Sequence, residues 1–542
     1  MRAITAAVSL VAAAFGIPGT VGATSCGALE DVDFSKLQDA PTQITASNTV
    51  DPTRDMPGYC RVTGYVAPQV GFELRLPSSW NGKFLSVGSG GWGGVIDAES
   101  CNRHLKRGYA CIVSDTGHSS RGVDGLWALN NLPAQVDFAY RAIHVSALAG
   151  KAIAAQFYSR APRKSYFFGC STGGHEGLVE AQKFPWDFDG IVAGAPDMDE
   201  AEWVVHHLWL SRNFLDAQRQ PVLSSESLKL LHEAALAACD LDDGVGDGII
   251  SDPLHCHVDL QRMVCGVDRR PGCLTESQME RVRNIYAGPP PSATGAAAIR
   301  GPLPGSELFW GDRFLGLTAL GASYAENFFR YMIYGISPEL SPSSFDFYRD
   351  YRRLGMAALY TATNPDLRRF KAAGGKLLAY QGGIDTMEDP EAIVDYYETT
   401  ERTMGGRGPT QNFFRLFIVP GMQHCGGGTG PYAIDYMSYI ESWVEEGKPP
   451  DQLIGAHIND GYMMTLPIPA AATEKVSAET RIVAAVQNLV FPLDSHIPID
   501  FTRPVFPYPL YSKYSGIGDT HYAASFGPSD PTTISVAQGQ LQ

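Results

Sequence analysis

Two parts of the chain alternate apolar, strand-like runs with helical stretches, and this alternation is the strongest constraint on the fold. In the first part, the helical period of "DFAYRAIHVSALAGKAIAAQFY" leads to the apolar run "KSYFFG", which is followed by a helical stretch and the run "FDGIVAGAP". In the second part, "KLLAYQGGID" and "NFFRLFIVPGMQHCGG" are apolar runs that end in glycine-containing loops. Strands that alternate with helices predict an α/β fold with a mostly parallel sheet.

The alternation is interrupted over residues 203–368, which are rich in proline, cysteine, Asp-Gly turns and aromatic residues. A chain of 542 residues also exceeds what one hydrophobic core usually supports. We therefore expect a core formed by residues 24–202 and 369–542, with an inserted lid domain between them. Before the first helix, "YCRVTGYVAP" and "GFELRLP" have the short alternation of antiparallel strands.

Residues 1–23 carry Arg2, an apolar run and the small-residue end Val21-Gly22-Ala23, which is the layout of a secretory signal peptide. No later apolar run approaches the roughly 20 residues of a membrane-spanning helix. The net charge of -16 disfavours nucleic acid as a partner, because nucleic-acid binders present a basic face. The sequence thus predicts a secreted or periplasmic protein without a membrane or nucleic-acid partner, and it leaves the oligomeric state open.

The stretch Gly169-Cys170-Ser171-Thr172-Gly173 matches Gly-x-Ser-x-Gly and lies between a predicted strand and a predicted helix. In that context the motif is typical of a serine hydrolase, because the tight turn needs glycine on both sides and lifts the serine hydroxyl to the start of the helix. Ser171 is therefore the candidate nucleophile. The backbone N–H of Thr172 would face the oxyanion that forms during attack on a carbonyl.

A serine nucleophile needs a base and an acid that orients the base. In α/β hydrolases these follow in the order Ser, Asp or Glu, His, at the ends of later strands. Asp385 follows the run "KLLAY" and His424 follows "FRLFIV". We expect His424 to be the base and Asp385 the acid, with Glu388 and Asp389 of the same loop as alternatives for the acid.

Cys170 immediately precedes the candidate nucleophile, and Cys425 immediately follows the candidate base. If Ser171 and His424 meet, the two cysteines lie at disulfide distance, about 5.5 to 6 Å between Cα atoms. We therefore expect a Cys170–Cys425 disulfide. The competing hypothesis makes Cys170 a thiolate nucleophile with His424 as its partner. It is less favoured, because the ten cysteines of an exported protein can all pair.

These paired Cys-Ser and His-Cys signatures resemble those of the tannase and feruloyl esterase family of α/β hydrolases. The similar stretches are "FGCSTGG", "FDGIVAGAP", "GIDTMEDP" and "VPGMQHCGGG", and the likeness covers nearly all of the chain after the leader. The resemblance implies an α/β-hydrolase fold, a triad of serine, aspartate and histidine, and a disulfide between the flanking cysteines. It also implies esters of aromatic acids as substrates.

The second oxyanion donor should be a backbone N–H in the glycine-rich run "VGSGGWGG". The family resemblance implies Gly91, and Gly90 or Trp92 are alternatives. A glycine-rich hairpin turn without a catalytic role would explain the composition equally well.

A second dense cluster, "CDLDDGVGDGIISDP", alternates aspartates with glycine turns. Several hard oxygens at short spacing suit Ca²⁺, although such a stretch is often only a solvated turn. The family resemblance implies a structural Ca²⁺ in the lid, far from the triad. Its ligands would be the side chains of Asp240, Asp243 and Asp247 and the carbonyls of Val245 and Ile249. No organic cofactor is expected.

The remaining cysteines lie at the edges of this cluster, within the lid and near the N-terminus. We expect Cys239–Cys256 to close the aspartate-rich loop and Cys265–Cys273 to form a short-range pair. The other four cysteines allow three connectivities, of which we favour Cys26–Cys60 with Cys101–Cys111.

Together these residues predict a serine carboxylesterase that forms an acyl-enzyme. Feruloyl or other hydroxycinnamoyl esters are the first expectation, with galloyl esters beside them and monoesters of terephthalate or phthalate as the alternative. Arg313 and Arg330 are candidates for binding a substrate carboxylate, and five lid aromatics are candidates for stacking on an acyl ring: Phe309, Trp310, Phe328, Phe329 and Tyr331. A hypothesis of another class, an inactive calcium-stabilised binding protein on this fold, is disfavoured because all three triad residue types are present in order.

Overall fold

The computed structural model describes residues 24–120, 122–266, 273–290, 300–312, 316–317, 319–333, 344–351, 354–468 and 477–530. The expected signal peptide, residues 1–23, lies outside the described residues. The strands are β1 (Thr42–Val50), β2 (Tyr59–Val66), β3 (Val70–Pro77), β4 (Lys83–Val87), β5 (Ala110–Ser114), β6 (Lys164–Cys170), β7 (Gly190–Gly194), β8 (Lys376–Gly382), β9 (Phe414–Val419), β10 (Leu453–Ile458), β11 (Ile499–Val505), β12 (Ser512–Tyr514) and β13 (Phe526–Pro528).

The α-helices of the described residues are α1 (Asn102–Lys106), α2 (Leu132–Val136), α3 (Ala142–Tyr158), α4 (Thr172–Lys183), α5 (Glu200–Phe214), α6 (Ser225–Cys239), α7 (Glu276–Ala287), α8 (Ala319–Asn327), α9 (Arg368–Ala372), α10 (Pro390–Met404), α11 (Arg407–Gln411), α12 (Tyr436–Glu446), α13 (Asp460–Met463) and α14 (Ala478–Val486). Among these residues, no helix has the length and apolar character needed to cross a membrane.

Within the described part of the chain, nine strands form one sheet in the order β1-β2-β3-β5-β4-β6-β7-β8-β9. The pairs β1/β2, β2/β3 and β3/β5 are antiparallel, and every pair from β5/β4 onward is parallel. The α/β-hydrolase fold, with an antiparallel start and a mostly parallel remainder, is therefore confirmed.

The central strands are apolar along their whole length because helices cover both faces of the sheet. All five residues of β7 are buried. One hydrophobic core joins the sheet to residues of α3, α4 and α10, and a second core joins its other face to residues of α12 and α14.

Between β7 and β8, the described residues add no strand to the nine-stranded sheet. This segment contains α5 to α9. It has a buried cluster around Trp310 and shares a second cluster with Trp92 and Phe138 of the preceding part of the chain. It overlaps residues 203–368, for which an inserted lid domain stays a prediction, and its first helix begins at Glu200. This segment places α5 and α8 where they contribute side chains to the site described below.

The register of the parallel strands brings the loops after them together. Val87 pairs with Phe168, Cys170 with Gly194, and Gly382 with Val419. The carboxyl ends of β4, β6, β7, β8 and β9 therefore lie at one edge of the sheet, where α/β proteins bind their ligands.

Candidate active site

Ser171 occupies the turn between β6 and α4, with φ 64° and ψ -128°. This backbone region is strained for a residue other than glycine. Its glycine neighbours are needed for space: a Cβ on Gly169 would lie 2.4 Å from the Gly173 carbonyl oxygen, and one on Gly174 would lie 2.2 Å from that of Gly194. The strained turn therefore presents Ser171 at the N-terminus of α4.

Asp385 and His424 meet across the loops that follow β8 and β9. His424 Nδ1 lies 3.0 Å from Asp385 Oδ2. The other carboxylate oxygen, Oδ1, accepts hydrogen bonds from the backbone N–H groups of Met387 at 2.8 Å and Glu388 at 3.1 Å. Gln381 Nε2 also donates to Oδ2, at 2.9 Å. With Asp385 only 1% exposed, these donors fix the carboxylate and through it the His424 ring.

Ser171 and His424 share one pocket with a volume of about 240 Å³. Its lining contains both candidate oxyanion donors, three aromatic rings and residues that the sequence did not single out. The lining residues are Gly91, Trp92, Ser171, Thr172, Asp197, Glu200, Trp203, Tyr324, Met387, Glu388 and His424. The pocket thus combines a candidate nucleophile, a base held by an acid and candidate oxyanion donors.

The disulfide Cys170–Cys425 joins the nucleophile turn to the histidine loop, with 5.9 Å between the Cα atoms. All ten cysteines are paired, so a Cys170 thiolate is not available as the nucleophile. The other four bridges have the connectivity favoured from the sequence: Cys26–Cys60, Cys101–Cys111, Cys239–Cys256 and Cys265–Cys273.

A hydrogen bond joins the two residues that supply the candidate oxyanion donors. Thr172 Oγ1 donates to the Gly91 carbonyl at 2.7 Å. Gly91 has φ +56°, and a Cβ there would lie 2.9 Å from the Gly122 carbonyl oxygen. The N–H of Trp92 donates to that same carbonyl at 2.6 Å, which leaves it unsuitable as an oxyanion donor. The geometry thus favours Gly91 over Trp92.

Glu176, one turn after Ser171, was not singled out from the sequence. Its carboxyl accepts hydrogen bonds from the backbone N–H of Ser89 at 2.9 Å and from the Ser89 hydroxyl at 2.7 Å. Burial raises the pKa of Glu176 to about 7. The contact fixes the start of the glycine-rich loop that carries Gly91 against α4.

Neither alternative acid is the partner of His424. Glu388 donates its backbone N–H to Asp385, and its side chain lines the pocket. Asp389 caps α10, since its Oδ1 accepts the Glu391 N–H at 2.9 Å. Mainly through burial, the pKa of Asp389 is raised to about 8.

Two further pocket residues, Asp197 and Glu200, follow β7 at the same edge of the sheet. Burial is the main cause that raises the pKa of Asp197 to about 7 and that of Glu200 well above its usual range. The run "PDMDE" directly after the strand-like "FDGIVAGA" was the signal that could have identified them, because it follows a strand end.

The aromatic residues of the pocket differ from those expected. Trp92, Trp203 and Tyr324 line it, whereas none of the five lid aromatics proposed from the sequence is among its lining residues. Four of these five are buried in cores: Phe309, Trp310, Phe328 and Phe329. Phe328 and Phe329 pack in the cluster that contains Trp92 and Phe138, and Trp310 packs in a separate cluster.

Of the two arginines proposed for binding a substrate carboxylate, the structure describes only Arg330, which does not line the pocket. Arg313 lies outside the described residues. Arg330 is half exposed and pairs with Glu326 at 3.4 Å. The pocket lining, as far as the chain is described, contains no lysine or arginine.

In the expected calcium loop, backbone and side-chain donors already engage the three aspartates. Asp240 Oδ1 accepts the N–H of Gly248 at 3.1 Å, Asp243 Oδ2 accepts the Ser251 hydroxyl at 2.6 Å, and Asp247 pairs with Arg503. No group of three His, Cys, Asp or Glu side chains among the described residues is arranged to hold a metal ion. Side-chain carboxylates alone therefore do not form this site, and any ion would also need main-chain carbonyls.

Comparisons with known proteins agree with this geometry. The model of the family described as tannase and feruloyl esterase matches residues 54–528. A probable feruloyl esterase B-2 of Neosartorya fischeri is 32% identical over an alignment 435 positions long, which covers 74% of this chain and 80% of that protein. The mono(2-hydroxyethyl) terephthalate hydrolase of Piscinibacter sakaiensis is 29% identical over an alignment 553 positions long, which covers 88% of this chain and 85% of that protein.

Solved structures are similar as well. Feruloyl esterase B from Aspergillus oryzae superposes with a TM-score of 0.77 at 26% identity, covering 93% of this chain and 100% of that one. Tannin acyl hydrolase from Aspergillus niger shares the fold, with a TM-score of 0.66 at 20% identity over 91% of this chain and 90% of that one.

Proposed function

Because the chain belongs to the tannase and feruloyl esterase family and is a carboxylic ester hydrolase of that type, we propose that it hydrolyses hydroxycinnamoyl or galloyl esters through a serine-linked acyl-enzyme. The observation that carries the proposal is the 3.0 Å contact of His424 Nδ1 with Asp385, in a pocket that His424 shares with Ser171. The fungal relatives named feruloyl esterases support the choice of acyl group.

In the proposed reaction, Ser171 Oγ attacks the ester carbonyl and its proton passes to His424 Nε2. Asp385 holds the opposite ring nitrogen and stabilises the imidazolium. The N–H groups of Gly91 and Thr172 bind the oxyanion of the tetrahedral intermediate. His424 then protonates the departing alcohol. Water, activated by His424, releases the carboxylic acid and restores Ser171.

Monoesters of aromatic dicarboxylic acids are the second candidate substrates. The similarity to a mono(2-hydroxyethyl) terephthalate hydrolase favours them. The pocket disfavours them, because no lysine or arginine that could pair with a substrate carboxylate lines it among the described residues.

Hydrolysis of a small ester panel tests the substrate assignment. We expect turnover of methyl ferulate or methyl gallate with kcat/KM at least about tenfold above that of a terephthalate monoester. Ser171→Ala, which removes only the nucleophile, should hydrolyse none of them above background. Equal or preferred hydrolysis of the terephthalate monoester would contradict the assignment, and no reaction of any ester would support an inactive binding protein.

We also propose that the loop around Asp240, Asp243 and Asp247 binds a structural Ca²⁺, with the carbonyls of Val245 and Ile249 as further ligands. The donor set supports this, because hard oxygens are what Ca²⁺ prefers. Burial makes the largest contribution to the raised pKa of Asp243, and the negative charge of Asp247 raises that pKa further. A bound cation would offset that repulsion.

Calcium removal tests this proposal. Binding to the native state alone raises stability by mass action. We expect the melting temperature to fall when EDTA replaces millimolar Ca²⁺, and Asp243→Asn to lose that response. A melting temperature that is independent of Ca²⁺ in the wild-type protein would contradict a structural ion.

Finally, we propose that the enzyme is exported, with residues 1–23 as its cleaved signal peptide. Five disulfides support an oxidising compartment. N-terminal sequencing of protein recovered from the medium or periplasm should begin near residue 24, and retention of the leader in a reduced, intracellular protein would contradict export.

A further inference from the structure

The peptide group between Met387 and Glu388 lies in the loop that carries Asp385. Its N–H, which belongs to Glu388, donates to Asp385 Oδ1 at 3.1 Å. Its carbonyl, which belongs to Met387, accepts two hydrogen bonds from side chains of α5. Trp203 Nε1 and His207 Nε2 each lie 2.7 Å from this carbonyl oxygen. One peptide group therefore connects α5 to the carboxylate of the triad.

The protonation state of His207 follows from its surroundings. The residue is 1% exposed, and burial makes the largest contribution to lowering its pKa to about 4. At neutral pH its ring is therefore uncharged and carries a single N–H. A carbonyl oxygen only accepts hydrogen bonds, so this proton lies on Nε2, towards Met387. His207 is thus a neutral hydrogen-bond donor to the loop.

The two donors determine which way the peptide plane faces. In a trans peptide the N–H and the C=O point in opposite directions, so a carbonyl held by α5 turns the Glu388 N–H towards Asp385. A reversed plane would place a carbonyl oxygen against the carboxylate and leave His207 unpaired in the interior, which is unfavourable. Hydrogen bonds that continue through one peptide group also polarise one another, and this strengthens the bond to the carboxylate.

The orientation of Asp385 reaches the catalytic base directly. Asp385 Oδ2 lies 3.0 Å from His424 Nδ1, so the carboxylate sets the direction of the imidazole ring. The charges of Asp385 and His424 both act on the pKa of His207, which is therefore close to the triad. A displacement of about 1 Å at a catalytic group can cost on the order of 100-fold in rate. Loss of a donor on α5 is thus expected to slow the chemical step.

The two donors differ in their relation to substrate. Trp203 lines the pocket, whereas His207 is absent from the lining as far as the chain is described. The preceding residue, His206, offers a comparison within the same helix. It is 3% exposed and its Nε2 has no hydrogen-bond partner in the described structure. His206 and His207 are therefore similarly buried, and only His207 bonds to the loop of Asp385.

We propose that His207 and Trp203 are positioning residues of the hydrolytic reaction, which orient Asp385, and through it His424, by holding the Met387 carbonyl. This inference rests on the proposed ester hydrolysis by Ser171. It gives α5 a part in the rate of the chemical step in addition to its place in the pocket wall.

Two substitutions at His207 test the proposal. His207→Phe keeps a planar ring and removes the donor, whereas His207→Gln keeps an N–H near the position of Nε2. We measure kcat for the ester that the wild-type enzyme hydrolyses best, per active site titrated with a fluorophosphonate. We expect kcat to fall at least about fivefold in His207→Phe and to stay within about threefold of wild type in His207→Gln. KM should change by less than about twofold in both, because residue 207 does not line the pocket.

His206→Phe is the matched control, because it makes the same exchange at the adjacent buried position. It should keep kcat per titrated site within about twofold of wild type. Three results would each overturn the proposal. They are a fall of less than about fivefold in His207→Phe, an equal fall in His206→Phe, and a loss in His207→Gln as large as that in His207→Phe.

Titration of active sites separates these results from damage to the fold. Only protein whose Ser171 still reacts is counted, so partial unfolding lowers the number of sites and leaves kcat per site unchanged. If His207→Phe yields no reactive sites, Trp203→Phe removes the other donor, and a fall in its kcat of less than about threefold would overturn the proposal.

The same measurements distinguish failure of this inference from failure of the proposed function. Hydrolysis by the wild-type enzyme, with kcat unchanged in His207→Phe, contradicts the positioning role alone. A wild-type protein that hydrolyses no ester contradicts the proposed function itself.

Discussion

At the scale of single residues, the proposed catalysis depends on the hydrogen bonds that orient Asp385. Backbone N–H groups occupy one of its oxygens, and Gln381 and His424 share the other. Because an ionised carboxylate only accepts hydrogen bonds, His424 must carry a proton on Nδ1. Its Nε2 is then left as the base for Ser171.

Asp385→Asn should lower kcat for methyl ferulate by about 10⁴-fold with a smaller effect on KM, because an amide at this position favours the wrong tautomer of His424. Steady-state kinetics measure the effect. Asp389→Asn is the matched control: it changes an aspartate in the same loop that caps α10, and should retain activity within about threefold. Equal losses in both variants would indicate that the loop, and not the His424 contact, is responsible.

The triad residues themselves could be predicted from the sequence, because each follows an apolar strand and the chain order matches a known pattern. Asp197 and Glu200 carry only the weaker signal of following a strand end, and Gln381 carries no such signal. Their importance depends on which strands are neighbours in the sheet, and the strand order β4-β6-β7-β8-β9 is a property of the tertiary structure.

At the scale of elements, the nucleophile turn and the histidine loop are joined by covalent chemistry. Cys170 and Cys425 are 255 positions apart in the sequence, so their bridge constrains a large part of the unfolded chain. In the chain-entropy model such a bridge stabilises the folded state by about 5 kcal/mol.

The double variant Cys170→Ser, Cys425→Ser should therefore lose most of that stabilisation and keep measurable esterase activity, since neither sulfur reacts. Chemical denaturation and kinetics measure the two effects. Removal of the Cys265–Cys273 bridge, which closes only 8 positions, is the matched control and should cost about 2 to 3 kcal/mol. Complete loss of activity in folded Cys170→Ser protein, with activity retained in Ser171→Ala, would contradict the assignment of the nucleophile.

The link between α4 and the oxyanion loop is another element-scale contact, and the sequence did not reveal it. Glu176 and its partner Ser89 are 87 positions apart. Ser89 lies in the glycine-rich run "VGSGGWGG", but no pattern in the sequence pairs it with Glu176. Glycine spacing predicted the loop but not the residue that fixes it. Contacts of this kind become visible only when parallel strands place β4 beside β6.

At the scale of the whole molecule, the fold buries many carboxyl groups. Mainly through burial, the pKa values of Glu176, Asp197 and Glu202 are raised to about 7 and that of Asp389 to about 8. A carboxyl group whose pKa is higher in the folded than in the unfolded state binds its proton more tightly when folded. Its contribution to stability is complete below the unfolded pKa and is lost as pH rises through the folded pKa.

Buried histidines act in the opposite direction over a lower pH range. Burial lowers the pKa values of His118, His175 and His207 to about 4 from the usual 6.5. Their contribution to the stability of the folded state is present above pH 6.5 and is lost as pH falls towards 4. Above pH 6.5, therefore, the buried carboxyl groups determine how the stability of the fold changes with pH.

The melting temperature should fall as pH rises from about 6.5 to about 8.5, because the buried carboxyl groups then lose protons that the unfolded chain has already released. Scanning calorimetry in buffers of matched ionic strength measures the trend. Asp389→Asn, which removes the group that titrates near pH 8, should show a shallower fall. A melting temperature that is constant or rising over this range would contradict the assignment of these buried groups.

The central claim is that Ser171 forms a covalent intermediate with the help of His424 and Asp385. Labelling with a serine-directed fluorophosphonate, followed by peptide mass spectrometry, tests it most directly. We expect one adduct, on the peptide that contains Ser171, with no labelling of Ser171→Ala and strongly slowed labelling of His424→Ala. An adduct on another residue, or an active enzyme that stays unlabelled, would contradict it.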